Sequence, residues 1–348
     1  MTRAIKVLIV DDSALIRQIL KSILESDPGL KVVGCAPDAL KARELIKKLN
    51  PDVVTLDIEM PKMNGIEFLR KIMKLRPMPV VMISTMTQNN AAITLEALEI
   101  GAVDFVAKPK QDIKRGLSEN AREIIEKVKT AANAKVKPLE RYLVNENQKQ
   151  VNVTGVSCYD LIVFGASTGG VEALRMIVSA LPKNMPPIFV VQHMPKQFTK
   201  TFAQRLNGLG DLTVHEAEDH MIGRNGHVYI APGDRHLRVA KRKGEIVCRL
   251  LEGNPISGHM PSVDVLFDSA CHVEPAKTIG VILSGMGKDG ADSMLKLKEA
   301  GAHTIGQDQK SCVVYGMPKV AFEKGAVKEQ LDLKKIPNSL FSLCFPEK

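Results

Sequence analysis

The stretch Leu161-Ile162-Val163-Phe164-Gly165-Ala166-Ser167-Thr168-Gly169-Gly170 lifts one serine onto a glycine-rich turn at the end of an apolar run. Two chemistries fit such a turn: the hydroxyl can attack an electrophile, or the loop can cradle a phosphate. A dinucleotide loop needs G-x-G-x-x-G spacing and an acidic residue after the next strand. This chain has neither, and its next apolar run ends in Gln192-His193. The G-x-S-x-G spacing alone is weak support for a nucleophile, which needs a base within about 2.6–3.2 Å. Neighbouring parallel strands bring their carboxyl ends together, so His193 is the candidate base. Seven other histidines (His215, His220, His227, His236, His259, His272, His303) lack that placement. A third run, Ile279–Leu283, leads into Ser284-Gly285-Met286-Gly287-Lys288-Asp289-Gly290. That loop offers an acid to orient an imidazole and backbone N–H groups to hold an oxyanion. Asp289 can also cap the helix expected over Ala291–Ala300. The order Ser167, His193, Asp289 differs from the Ser–Asp–His order of α/β-hydrolases, which points to a triad on another fold.

A second group of residues lies in the first half. One apolar run ends in Val10-Asp11-Asp12 and another in Leu56-Asp57-Ile58-Glu59. Carboxylates converging at one sheet edge repel unless a hard cation neutralises them, and an oxygen-rich cluster of this size suits Mg²⁺. Ser84-Thr85 adds a hydroxyl at a third strand end and Lys108-Pro109 an ammonium at a fourth. Together these make a site for a phosphoryl group. Taken singly, Asp11 and Asp12 read as helix caps and Lys108 as a surface lysine.

Both groups need parallel sheets to assemble them. Residues 5 to 132 alternate β-branched runs (Ile5–Val10, Lys31–Cys35, Asp52–Leu56, Pro79–Ile83, Val103–Val106) with amphipathic stretches (Ala14–Glu25, Ala39–Leu49, Ile66–Leu75, Ala91–Ile100). This is the pattern of a doubly wound α/β domain, which binds ligands at the carboxyl ends of its strands. Ser118–Ala132 reads as its last helix, with Ser118 as N-cap. Residues 133–157 lose periodicity and read as a polar linker, in which Arg141-Tyr142-Leu143-Val144 is the one apolar patch. Strand patterns resume at Leu161–Phe164, Pro187–Val191, Leu212–His215, His227–Ile230, Leu237–Ala240, Ile246–Leu251, Thr278–Leu283 and Ala302–Ile305. The outer ones predict a second doubly wound core. The middle ones, near Gly226, Gly233 and Gly244, predict antiparallel hairpins beside it. The fold class is therefore α/β, with two doubly wound parallel-sheet domains.

Composition agrees with this. A chain of 348 residues exceeds one typical domain, and 45% hydrophobic with 25% charged residues is ordinary for a globular protein. Met1–Val10 holds one short apolar run that stops at Asp11, which is a strand and not a leader. No apolar run approaches the ~18 residues of a membrane span. Six scattered cysteines with no CxxC pair predict reduced thiols in a cytoplasmic protein. Of the net charge of +9, residues 108–149 carry +5, from eleven Lys/Arg against six Asp/Glu. With no Trp and 4% aromatics, this predicts a solvated basic connector and no nucleic-acid platform.

Val7-Leu8-Ile9-Val10-Asp11-Asp12-Ser13, Asp52 to Pro61, Met63-Asn64-Gly65 and Lys108-Pro109 resemble the receiver domain of two-component response regulators, essentially over residues 4–125, within a domain expected to span 4–132. The resemblance implies phosphorylation at Asp57. It implies Mg²⁺ held by Asp12, Asp57 and the Glu59 carbonyl, with Asp11 in the surrounding shell. Sensing of the phosphoryl group would fall to Ser84, Phe105 and Lys108, and a cis bond is common before Pro109 in such domains. Gly165 to Gly170, Val191-Gln192-His193-Met194, Tyr229 to Gly233, Pro261 to Phe267 and Gly285 to Gly290 resemble the chemotaxis protein-glutamate methylesterases (the CheB type), over residues 158–345. That resemblance implies Ser167 as nucleophile, His193 as general base and acid, Asp289 as orienter and the Met286 N–H as oxyanion donor, with no cofactor for the ester chemistry. Met260 stands where relatives often carry a basic residue. The implied partners are methyl-accepting chemotaxis receptors as substrate and a histidine kinase as phosphodonor, and the implied state is a cytoplasmic monomer. Two other classes compete for parts of this pattern. A transcriptional regulator needs a helix-turn-helix, and none follows the linker. A nucleotide-binding module would use the Gly165–Gly170 loop for phosphate.

Overall fold

In the computed structural model, residues 3–85, 88–108, 117, 120–136 and 155–346 are described. Pro109, Ser118 and the linker residues 137–154, Arg141-Tyr142-Leu143-Val144 among them, lie outside the described residues. The chain divides into two compact units, Met1–Leu143 and Val144–Lys348.

The first unit is a five-stranded parallel sheet of β1 (Ile5–Val10), β2 (Leu30–Ala36), β3 (Val53–Asp57), β4 (Val80–Thr85) and β5 (Asp104–Lys108). Its order is β2-β1-β3-β4-β5. Helices α1 (Ala14–Glu25), α2 (Ala39–Leu49), α3 (Gly65–Leu75), α4 (Gln88–Ile100) and α5 (Ala121–Ala132) form the connections and the final helix. The central strands are buried on both faces because helices cover both, which is why their sequences are predominantly apolar instead of alternating. Helix α1 buries Ile16, Ile19, Leu20, Ile23 and Leu24, one helical stripe. Ser13, Asp38 and Asn64 start α1, α2 and α3 by accepting backbone N–H bonds, so each turn after a strand is fixed by a cap. Strands β3, β4 and β5 run one to two residues further than the apolar pattern predicts. Asp57, Ser84 and Lys108 therefore sit in the sheet itself, where ladder bonds fix their backbones.

The second unit is a seven-stranded parallel sheet of order β14-β13-β12-β6-β7-β9-β8. Its strands are β6 (Leu161–Ala166), β7 (Ile188–Gln192), β8 (Thr213–Glu216), β9 (His227–Ile230), β12 (Thr278–Ile282), β13 (His303–Gln307) and β14 (Glu329–Leu331). Strands β10 (His236–Arg242) and β11 (Glu245–Leu251) form a separate antiparallel hairpin. Of the middle group expected as hairpins, β8 and β9 instead extend the parallel sheet. The reason lies in their burial: Val228, Tyr229 and Ile230 are all inside, so the run lacks the alternation of a half-exposed hairpin. The helices are α6 (Gly170–Ala180), α7 (Lys196–Leu206), α8 (Val263–Ala270), α9 (Ala291–Glu299), α10 (Met317–Glu323) and α11 (Ile336–Cys344). Phe189 stacks on Tyr229 at 5.2 Å in a core that continues through Val163, Leu237, Leu266 and Phe267. Helix α8 packs against β10, so the hairpin is tied to the sheet through the helix that follows it. Among the described residues, no helix is long and apolar enough to cross a membrane.

Candidate active site and phosphoacceptor site

Ser167 follows β6 directly and His193 follows β7, the adjacent strand. The His193 N–H donates to the Ala166 carbonyl at 3.0 Å and the Ser167 N–H to the Ser284 carbonyl at 3.0 Å. The serine turn is thus gripped from both neighbouring strand ends. Gly165 is required for packing: a Cβ there would lie 2.2 Å from Val263 Cγ1. At Gly169 the backbone turns with φ +80, a conformation that favours glycine.

His193 Nε2 lies 2.8 Å from Asp289 Oδ2, with both side chains buried. Facing a carboxylate, Nε2 carries the proton, so Nδ1 is the basic nitrogen. Nδ1 is buried with no hydrogen-bond partner, and therefore Ser167 makes no bond to it in this state. Serine–histidine bonds of this kind often tighten only once substrate is bound.

Asp289 is 1% exposed and fully engaged. Its Oδ2 also accepts the Val263 N–H at 2.7 Å, while Oδ1 accepts the Ser262 hydroxyl at 2.8 Å and the Asp264 N–H at 3.1 Å. Burial alone would raise its pKa, but the bonds from His193, Val263 and Ser262 outweigh that and hold it at about 2. Asp289 does not cap its own helix. Gly290 is the N-cap of α9 and makes no side-chain cap bond. Asp289 instead caps α8, whose first two amides it accepts. Asp264, in the first turn of α8, returns the arrangement by accepting the Ser293 N–H of α9 at 3.1 Å. The two helix starts thus cap one another, and the dipole of α8 favours the Asp289 charge. Burial, reinforced by the Asp289 charge, raises the pKa of Asp264.

Met286 lies in the loop after β12 that also carries Asp289. The Gly285 carbonyl accepts the Gly316 N–H at 3.1 Å and the Met317 N–H at 2.8 Å. In a trans peptide the Met286 N–H points the opposite way, away from α10. Gly285 packs so closely that a Cβ on it would sit 2.8 Å from Ser167 Cβ. The geometry therefore places the Gly285–Met286 peptide beside the serine.

Three further residues support the site. The His259 ring stacks on His193 at 3.8 Å between centroids and 13° between planes. His236 accepts the Ser262 N–H on Nδ1 at 3.2 Å and reaches the Asn254 carbonyl with Nε2 at 3.1 Å, which pins the loop bearing His259, Met260 and the cis bond Met260-Pro261. Ser262 links this loop to Asp289. Only Ser262, inside the run Pro261 to Phe267, left a sequence signal; a lone histidine in a loop, as His259, or at the start of a strand, as His236, leaves none.

In the first unit, Asp11, Asp12 and Asp57 each offer a carboxylate oxygen within 4.8 Å of the others. Lys108 Nζ lies 2.7 Å from Asp11 Oδ2 and 2.9 Å from Asp57 Oδ2, all three side chains being buried. Burial, partly offset by Lys108 and reinforced by Asp11, pushes Asp57 up to about 6. One ammonium thus under-compensates two buried carboxylates with a third at the rim, a donor set that fits a hard divalent cation. Glu59 is exposed, and its Oε1 accepts from Asn90 at 3.1 Å. Ser84 accepts the Thr94 hydroxyl at 3.0 Å. Phe105 is buried, with Lys127 both bonded to its carbonyl at 2.7 Å and lying 5.1 Å over its ring. A Cβ on Gly65 would lie 2.0 Å from the Asp57 carbonyl oxygen, so glycine is what lets α3 start against the acidic pocket.

A receiver-like sheet with an acidic pocket, and a parallel sheet whose strand ends gather serine, histidine and aspartate, define the class: a hydrolase-type domain in one chain with a response-regulator module. Residues 162–340 match the CheB methylesterase family and residues 7–117 the response regulator receiver domain. The chain is 52% identical over 348 residues to protein-glutamate methylesterase/protein-glutamine glutaminase 1 of Geobacter metallireducens, covering 98% of this chain and 96% of that one. It is 50% identical over 344 residues to the protein of that name from Caulobacter vibrioides, covering 98% of each. The Thermotoga maritima CheB methylesterase catalytic domain superposes with a TM-score of 0.52 at 45% identity, over 55% of this chain and 100% of that domain. The chain belongs to the CheB methylesterase family.

Proposed function

We propose that this chain is a phosphorylation-controlled protein-glutamate methylesterase with protein-glutamine glutaminase activity, acting on methyl-accepting chemotaxis receptors in adaptation. The observation that carries the reading is the buried His193–Asp289 pair at the end of the strand next to Ser167. Residues 4–132 are the receiver, 133–157 the linker and 158–345 the esterase. Ser167 Oγ attacks the ester carbonyl carbon while His193 Nδ1 takes its proton. Asp289 keeps the proton on Nε2 and stabilises the imidazolium. The Met286 N–H is aimed to hold the oxyanion. Collapse of the tetrahedral adduct expels methanol, protonated by His193, and leaves an acyl-serine. Water, deprotonated by His193, attacks this ester, releasing glutamate and restoring the serine. With glutamine, ammonia leaves in the same step.

In the receiver, Asp57 accepts a phosphoryl group from a histidine kinase. Asp12, Asp57 and the Glu59 carbonyl, with Asp11 beside them, would hold Mg²⁺, which when bound neutralises charge on the phosphoryl oxygens. Lys108 supplies a fixed ammonium at Asp57, and Ser84 and Phe105 respond to the modified state. Phosphorylation raises the esterase rate by relieving inhibition by the receiver, a population shift. Methanol release from methylated receptors tests the chemistry: Ser167→Ala retaining the parent rate would sink the assignment of the nucleophile. A fragment from about residue 155 onward that is no faster than the unphosphorylated chain would sink the inhibition model.

A further inference from the structure

We propose that Gln192 is a positioning residue that ties the serine turn to the histidine strand; the inference rests on the esterase reading above. Gln192 is the last residue of β7 and is 3% exposed. Its Nε2 donates to the Ser167 carbonyl at 2.9 Å and to the His193 carbonyl at 3.2 Å. One amide nitrogen therefore serves both residues of the proposed proton transfer. The amide orientation is fixed, because turning it over would aim Oε1 at two carbonyl oxygens.

The site is shaped for this side chain. Gln192 Oε1 is buried without a partner, a costly state that an aliphatic residue would avoid. A Cβ on Gly170 would lie 2.2 Å from that Oε1 and 2.7 Å from Ala166 Cβ. The second glycine of Gly169-Gly170 is thus the space that Gln192 occupies. The Ser167 carbonyl also accepts the Gly170 N–H at 2.7 Å, so it is bonded from the helix start and from β7. Past Ala166 the ladder between β6 and β7 ends, and the glutamine amide continues it where the strands part. This sets the angle at which Ser167 presents Oγ to His193 Nδ1.

The test uses the full chain and methanol release from methylated receptors, with the parent and Ser167→Ala as brackets. Gln192→Leu removes the donor; kcat falls about 10- to 100-fold, the range for small misplacements of reacting groups, while KM stays within about twofold. The ratio of Gln192→Leu to parent stays flat with pH. Gln192→Glu is as slow as Gln192→Leu at about pH 8 and recovers towards about pH 6, because a buried carboxyl protonates early and regains one O–H donor. A side chain that merely fills space would give no such recovery. The inference is overturned if Gln192→Leu keeps kcat within about twofold of the parent. It is equally overturned if Gln192→Glu follows the parent's pH profile. Should Gln192→Leu not fold, the Gln192→Glu profile decides alone. A silent parent refutes the esterase reading, whereas an active parent matched by both variants refutes only the role of Gln192.

Discussion

Replacing Asp289 with asparagine separates two contributions that one aspartate makes to the site. Oδ2 accepts two N–H groups, from His193 and Val263, so the asparagine carbonyl takes that position. Its NH₂ then takes the place of Oδ1, where the Ser262 hydroxyl can turn to accept but the Asp264 N–H is opposed. Nε2–H of His193 therefore keeps an acceptor, and the tautomer is retained. In the trypsin-type triad the equivalent change flips the tautomer and costs about 10⁴ in kcat. Here only the charge beside the imidazolium is lost, worth about 4 kcal/mol for charges ~4 Å apart at an effective dielectric of ~20. That corresponds to about 10³ in kcat. The opposed Asp264 N–H lowers stability by about 1–3 kcal/mol. Methanol release gives the rate, ¹⁵N shifts of the His193 ring give the tautomer, and urea unfolding gives the stability. A proton found on Nδ1 in Asp289→Asn, or a loss of less than about tenfold, would refute the reasoning.

Stability should also fall in acid through the same residue. The folded pKa of Asp289, about 2, lies below its ordinary 3.8, so its contribution is complete above about pH 4 and lost as pH falls through 2. The amount is about 2 kcal/mol, visible as a steeper acid limb of urea unfolding in the parent than in Asp289→Asn. In the first unit, Lys108→Met strands Asp11 and Asp57 without their ammonium and costs about 3–5 kcal/mol at neutral pH. Millimolar Mg²⁺ should restore part of that loss, measured by thermal denaturation with and without the metal. Gly65→Ala drives a methyl into the Asp57 carbonyl and the Ile58 Cα, both backbone, and should cost about 3 kcal/mol in urea unfolding of the receiver.

The inner strands of both sheets were legible because they are mostly apolar runs, and most candidate residues because they stand at or just past the end of one. The edge strand β14, three residues of sequence EQL, carries no such signal and was not expected. Ser167, His193 and the Asp289 loop needed only the rule that parallel strands align their carboxyl ends. The middle strands were harder. Their turn glycines resemble hairpin signals, and only burial on both faces separates β9 from a hairpin strand. The supports were hidden for a different reason. Gln192 and Asp264 act through bonds to residues 25 and 29 positions away, and no local period records such a pairing. His259 touches His193 only after the loop pinned by His236 folds back. Asp289 read as the cap of the helix it precedes, whereas it caps the helix packed beside it.

The order of the strands has a consequence for biosynthesis. His193 and Asp289 are 96 residues apart, and they flank β6 from opposite sides, through β7 and β12. A growing chain that has already placed serine and histidine on adjoining strands still lacks the acid. It also lacks the Gly285–Met286 peptide, which arrives on the same late segment. On the proposed roles, the nascent chain is therefore silent until its second flank closes, and a chain truncated before β12 carries Ser167 and His193 without Asp289 or the Gly285–Met286 peptide.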